Sequence, residues 1–235
     1  MLGYISDLRV IKGTALYKSN FVPPAQTLTA VQNTVLLTNM TSAGIYDAAM
    51  MNNMETVGDA KLSTSISKFG GTSMSFNGST DWLSVPNITN LRFGTGDFTV
   101  ELWAYWNSPV AEGGFVGGTN QGSMDFSYTG STLRIGRIDL SWDSIFSSWT
   151  PTANVWYHIA FTRNNGIARA FVDGVQIGSN SGNTNTYTPV GPLLVGKSSG
   201  NDRRLNGYID DLRITKGYAR YTANFSPPAG SFKIK

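Results

Sequence analysis

Apolar and polar residues alternate with a period of two along most of the chain, and no long segment keeps apolar residues at i, i+3, i+4 and i+7. That pattern predicts strands throughout and almost no helix. The clearest strand is 97–106, DFTVELWAYW, which places Phe98, Val100, Leu102, Ala104 and Trp106 on one face and Thr99, Glu101, Trp103 and Tyr105 on the other. Both faces carry bulk, as expected of a central strand whose second face is partly covered or used for binding. The stretch 154–178 predicts two successive hairpins. NVWYHIAFTR turns at Asn164-Asn165-Gly166 into IARAFV, which turns at Asp173-Gly174 into VQIG. Both turns hold residues that tolerate positive φ. Shorter strands are predicted at 34–38, 73–77, 82–85, 124–128, 132–138, 144–149, 192–196 and 207–215, with Gly, Pro, Ser and Asn between them. Many short strands at regular spacing predict an all-β sandwich or jelly roll.

An internal repeat organises the chain. Residues 3–24, GYISDLRVIKGTALYKSNFVPP, recur at 207–228 as GYIDDLRITKGYARYTANFSPP, with 14 of 22 positions identical and no gap. The offset of 204 residues is far too long for a solenoid unit and matches a whole all-β domain. The expected organisation is a C-terminal remnant of a preceding repeat at 1–24, supplying a short extra N-terminal strand, followed by one complete domain at 25–235. A spare copy of the closing strand has an edge that must be covered or used. It is expected either as a piece of a tandem array or as a strand added to the sheet of a neighbouring copy, with the array preferred.

Composition narrows the function classes. Charged residues make up 14% of the chain, against about 25% in an average protein. The 40% hydrophobic content is enough for a globular core. With no run of 18 or more apolar residues and no charged-then-apolar start, neither a membrane partner nor a signal peptide is predicted. The absence of Cys excludes a disulfide framework, a thiolate zinc site and a cysteine nucleophile. Net charge is +3, and apart from Arg203-Arg204 the basic residues are scattered, so no nucleic-acid footprint is expected. The cluster Met40, Met50, Met51 and Met54 is read as core filling or loop in preference to an adaptable binding surface.

Four segments, SKFGGTSMSFNGSTDWLSVP (67–86), DFTVELWAYW (97–106), VWYHIAFTRNNGIARAFVDGVQIG (155–178) and GYIDDLRITKGYARYTANFSPP (207–228), stand in an order and spacing that resemble the LamG-like group of the concanavalin A-like lectin/glucanase superfamily. The resemblance covers nearly all of 34–228. It implies a jelly-roll sandwich of two curved antiparallel sheets with neighbouring N- and C-terminal strands. The closing element is similar to modules in phage and marine-virus virion proteins and bacterial surface proteins, which implies a virion or extracellular surface location.

The same resemblance raises hydrolysis, which needs two carboxylates about 5 Å apart. The superfamily's hydrolases present them as Glu-x-Asp-x-x-Glu on one strand, and no such string occurs here; Glu is found only at Glu55, Glu101 and Glu112. Glu101 is expected as a strand residue held by a hydrogen bond or facing solvent. His158, the sole histidine, is expected as a packed, hydrogen-bonded imidazole. Gly113-Gly114 and Gly117-Gly118 lack the Lys-Ser/Thr of a phosphate loop and are read as turns. A non-enzymatic binding role is therefore expected, with a glycan or cell-surface polysaccharide as partner, and neighbouring copies or repeats as further partners through the terminal strands. Lectin sites pair an aromatic plane with polar donors. The segment 133–151 offers Trp142, Phe146 and Trp149 beside Arg134, Arg137 and Asp143, either as a sugar platform or as cover for a sheet edge. Loops 112–123 and 196–206 are the expected rims. Calcium is the cofactor the superfamily implies, and oxygen ligands for it are sought at Asp47, Asp81 and Asp211. Asp211 equally suits anchoring of the terminal strand or pairing with Arg213. The alternatives to glycan binding are a structural virion module without a sugar ligand and a glucanase-type hydrolase.

Overall fold

The computed structural model describes residues 8–26, 31–38, 53–86, 89–108, 112–120, 122–137, 145, 147–198 and 203–233. Contacts divide the chain into two units, Met1–Gly44 and Ile45–Lys235. In the first unit, β1 (Leu8–Ile11) pairs antiparallel with β2 (Thr34–Thr38), with an irregularity between Val10 and Ile11. The predicted strand 34–38 thus forms, and it pairs with the repeat segment.

The second unit is all-β. In chain order its strands are β3 (Glu55–Val57), β4 (Lys61–Ser63), β5 (Ser73–Asn77), β6 (Trp82–Val85), β7 (Phe98–Trp106), β8 (Glu112–Gly118), β9 (Met124–Thr129), β10 (Thr132–Arg137), β11 (Ser147–Ser148), β12 (Trp156–Asn164), β13 (Ile167–Val172), β14 (Val175–Asn180), β15 (Leu193–Val195), β16 (Lys197–Ser198), β17 (Arg203–Arg204) and β18 (Asn206–Lys216). One antiparallel sheet runs β11-β10-β9-β8-β15-β6-β3 and the other β14-β13-β12-β7-β18-β5-β4, while β16 and β17 form a short ribbon. Among the described residues the one helical element is a 3-10 turn at Thr89–Leu91. This is the jelly-roll sandwich that the alternation predicts.

The two sheets bury their inner faces against each other. From β7 come Phe98, Val100, Leu102, Ala104 and Trp106, all fully buried, which is the predicted apolar face of that strand. Phe126 of β9 and Phe161 of β12 stack across the two layers with centroids 5.1 Å apart. Burying a side chain of this size contributes about 1.5–3 kcal/mol, so this layer is the main source of stability. Both predicted hairpins form, with positive φ at Asn165 and Gly166 and again at Asp173 and Gly174.

One expectation fails. Gly113-Gly114 and Gly117-Gly118 are not turns; they lie inside β8, which pairs with β9 on one edge and β15 on the other. The β16–β17 ribbon packs on the side of β8 turned from the core. A Cβ at Gly114 would collide with the backbone of Ser198, Lys197 and Arg203, and one at Gly117 would sit 2.8 Å from Ser198 Cα. Glycine is required here by close approach, not by a reversal of the chain.

Candidate functional site

Each sheet has an outer face, and the two are built differently. On the second sheet, the outer face of β7 carries Thr99, Glu101 and Trp103, and the chain after β18 returns across it as a strap. Thr99 Oγ1 donates to Tyr218 O, Thr162 Oγ1 to Tyr221 O, and Phe225 N to Gly174 O. Tyr221 and Phe225 stack face to face, centroids 3.5 Å apart, and their rings meet Phe171 and His158.

Beneath this strap Glu101 is completely buried. Arg213 donates from Nε (2.8 Å) and lies 2.7 Å away through its second nitrogen, both to Oε1; the Tyr221 hydroxyl donates to Oε2 at 2.8 Å, and His158 Nε2 lies 3.3 Å from the same oxygen. Burial pushes the Glu101 carboxyl up, but the hydrogen bonds from His158, Tyr221 and Arg213, with the Arg213 charge, outweigh it and hold the group below its ordinary value. Tyr221 moves the other way, raised by its burial and by the facing carboxylate. Of its two expected states Glu101 thus takes the hydrogen-bonded one, not the solvent-facing one; His158 is the packed, hydrogen-bonded imidazole expected, and Arg213 pairs with Glu101. Asp211, at positive φ in the irregular turn of β18, accepts from Phe232 N and anchors the end of the strap; burial raises its pKa.

On the first sheet, the outer face is polar. Asp125 of β9 is fully buried under the ribbon, accepting from Ser198 Oγ at 2.5 Å and from Arg203 at 3.1 Å. The same guanidinium reaches Glu112 at 3.4 Å. Arg134 lies buried in this cluster, and its burial brings the guanidinium down to about 10 against the opposing pull of Asp125. At the edge of the cluster, half-buried Trp82 of β6 has Lys197 Nζ 4.2 Å and the Arg204 guanidinium 5.1 Å from its ring centroids. Arg204 also donates to Ser79 O, which joins the ribbon to the turn before β6.

Of the predicted site residues that the structure describes, Arg134 belongs to this cluster and the others do not. Trp149 is half-buried and meets Trp106, Tyr128 and Tyr157 edge to face, so it covers the core at the sheet edge. Arg137 donates to Thr186 O. Trp142, Asp143 and Phe146 lie outside the described residues, as does Asp47. Asp81 accepts from Asp59 N, Asn77 N and Thr80 Oγ1, which closes the turn before β6. Calcium takes six to eight oxygens. Asp81 and Asp211 do not converge, and no group of three or more acidic or His side chains that could hold a metal occurs among the described residues. The residues missed at the sequence level are Trp82, Asp125, Ser198 and Arg203, although the expected rim 196–206 contains the ribbon. The glycine spacing in β8 was their available signal.

Residues 77–220 match the family model of the Concanavalin A-like lectin/glucanases superfamily. The chain belongs to that superfamily. Similar solved members of this fold include domain 4 of an extracellular arabinanase from Geobacillus stearothermophilus, solved with arabinotriose, at 20% identity and a TM-score of 0.54, covering 69% of this chain and 77% of that one. The binding domain of Paraclostridial mosquitocidal protein 1 aligns at 17% identity and TM-score 0.60, and that of botulinum neurotoxin serotype G at 15% and 0.56. These alignments cover 77% and 79% of this chain but only 48% and 46% of the toxin domains, so the chain spans about half their length. No curated protein matches the sequence.

Proposed function

We propose that the sandwich is a non-catalytic glycan-binding module acting at an extracellular or virion surface, and that the sugar is met on the outer face of the first sheet around Trp82. The observation that carries this reading is the convergence of one indole and two cations, Lys197 and Arg204, beside a polar cluster already organised by Asp125 and Arg203. The indole holds both cations against its ring at the surface, where they favour an acidic sugar, and the ring area they leave uncovered meets sugar C–H groups. Family membership and a fold shared with an arabinotriose-bound domain and toxin binding domains support it. Trp142, Asp143 and Phe146 are proposed as further sugar contacts, whereas Arg137 and Trp149 are engaged with Thr186 and the core.

Two observations favour binding over hydrolysis. Glu101 is sealed under the strap, and Asp125 and Glu112 share one guanidinium instead of standing as a free acid and base. A glycan array with neutral, sialylated and uronic-acid sugars tests the proposal. Binding of acidic glycans is expected, with Trp82→Ala weakening it on the order of tenfold or more. No binding to any glycan would support the structural virion module instead. Release of reducing sugar that disappears in Glu101→Gln would support the hydrolase.

A further inference from the structure

The strap that seals Glu101 has a twin. Arg213, Tyr221, Phe225, Pro227 and Pro228 stand at offset 204 from Arg9, Tyr17, Phe21, Pro23 and Pro24. The twin already has the same local shape: Tyr17 and Phe21 stack with centroids 3.7 Å apart and planes 9° from parallel, against 3.5 Å and 7° for Tyr221 and Phe225. Arg9 donates directly to the Tyr17 hydroxyl at 3.4 Å, whereas their counterparts Arg213 and Tyr221 bind the two oxygens of Glu101 between them. The setting is different. Tyr17 is 44%, Phe21 51% and Val22 90% exposed, and these rings line an open groove with Arg9, Ile11 and the two prolines.

The strand edges agree with this difference. In β18, Gly217 N donates to Asp97 O, so residues 213, 215 and 217 turn toward β7. In β1, Lys12 N donates to Asn33 O, so residues 8, 10 and 12 turn toward β2. Successive residues of a strand face opposite edges. Pairing with β2 therefore leaves aside the edge through which the twin strand joins its sandwich.

We propose that residues 8–24 are a clasp for a sandwich of this same build that lacks a closing strand and strap of its own. The partner is a sheet whose outer face offers a glutamate beside a histidine and a phenylalanine, as Glu101, His158 and Phe171 do here. Arg9 and Tyr17 hold the carboxylate, and the Tyr17–Phe21 stack covers the aromatic floor. Leu16 replaces Arg220, which lies 3.6 Å from Glu101, so this clasp grips with one guanidinium fewer. The inference is independent of sugar binding.

A lengthened chain tests it. Joining residues 25–204 ahead of Met1 puts residues 1–24 where 205–228 stand in the sandwich, with the whole natural chain following. A control carries 205–228 in place of 1–24. Limited proteolysis and urea unfolding followed by tryptophan fluorescence are expected to show two folded sandwiches in both chains. Arg9→Met should raise the unfolding constant of the upstream sandwich on the order of a hundredfold, as expected for an orphaned buried carboxylate, and leave the downstream one unchanged. An upstream copy that stays protease-sensitive while the control folds twice would overturn the proposal, as would a folded upstream copy indifferent to Arg9→Met and Tyr17→Phe. The unmodified chain is expected to be monomeric by light scattering, because each Glu101 is already held; a dimer abolished by Arg9→Met would make the occupant a second copy and also overturn it.

Discussion

Arg213→Met probes the seal on the second sheet most directly. The substitution keeps the apolar stem and removes both contacts, 2.8 and 2.7 Å, to a carboxylate with no exposure to water. Orphaning a buried charge costs about 3–5 kcal/mol. The Tyr221 hydroxyl and His158 remain, and Arg220 lies 3.6 Å away, so the lower end is expected. At about 2–4 °C per kcal/mol for a domain of this size, a loss of about 3 kcal/mol lowers Tm by about 6–12 °C. The pH dependence carries a sign. In the natural protein Glu101 lies below its ordinary value of 4.5, so its contribution is present above that value and is lost as pH falls through the depressed one. Without the guanidinium, His158 and Tyr221 alone oppose burial, so the carboxyl titrates higher than in the natural protein and the variant's deficit shrinks as pH falls through that raised value. The gap between the two proteins is therefore wide at pH 7 and narrower at pH 4. Urea unfolding at both pH values measures it, and Glu101→Gln/Arg213→Met should be less damaged at pH 7 than the single variant. A gap below about 1 kcal/mol, the range of a surface ion pair, or a gap equal at both pH values would refute the reasoning.

Three further outcomes are expected. Gly114→Ala drives a Cβ into the ribbon backbone and should cost about 1–3 kcal/mol by overpacking, with new protease cleavage near 196–205. Arg163 is fully buried, donates to the carbonyls of Gly94, Gly96 and Asn185, and stands 5.0 and 5.1 Å from the Phe98 and Tyr187 ring centroids. Arg163→Lys cannot reproduce the planar fork, and a loss of about 2–4 kcal/mol in urea unfolding is expected. Asp173 combines positive φ with a carboxylate that accepts from His158 N at 2.9 Å, so Asp173→Ala should cost about 1–2 kcal/mol in thermal denaturation and Asp173→Asn less.

The sandwich was legible where the determinants are local. Alternation in 97–106 identifies β7 and its core face, and Asn165-Gly166 and Asp173-Gly174 mark both hairpin turns, because φ preference and face periodicity are properties of adjacent residues. β8 was misread for the complementary reason. Its glycines answer to a ribbon some eighty residues downstream, and a strand that must accept another backbone on its outer face looks, read locally, like a turn. Glu101 shows the same divide. The pattern places it opposite the core face, yet nothing near it announces Arg213 and Tyr221. That information sits in the repeat, where Arg, Tyr and Phe recur at one spacing in two copies.

The two outer faces also constrain where a ligand can be met. On the second sheet, the strap occupies the hydroxyls of Thr99 and Thr162, the carbonyl of Gly174 and the carboxylate of Glu101, and its stacked rings cover Phe171. A sugar binding there would have to displace the element that keeps a buried charge paired, at a cost of the same order as the Arg213 loss. The first sheet has a ribbon in place of a strap. The ribbon buries Asp125 and Arg203 but leaves Trp82, Lys197 and Arg204 only partly covered, so its inner residues serve stability while its margin remains accessible. The proposed recognition at the β6 margin thus needs no displacement of the strap, since a contact there can form without first undoing the fold.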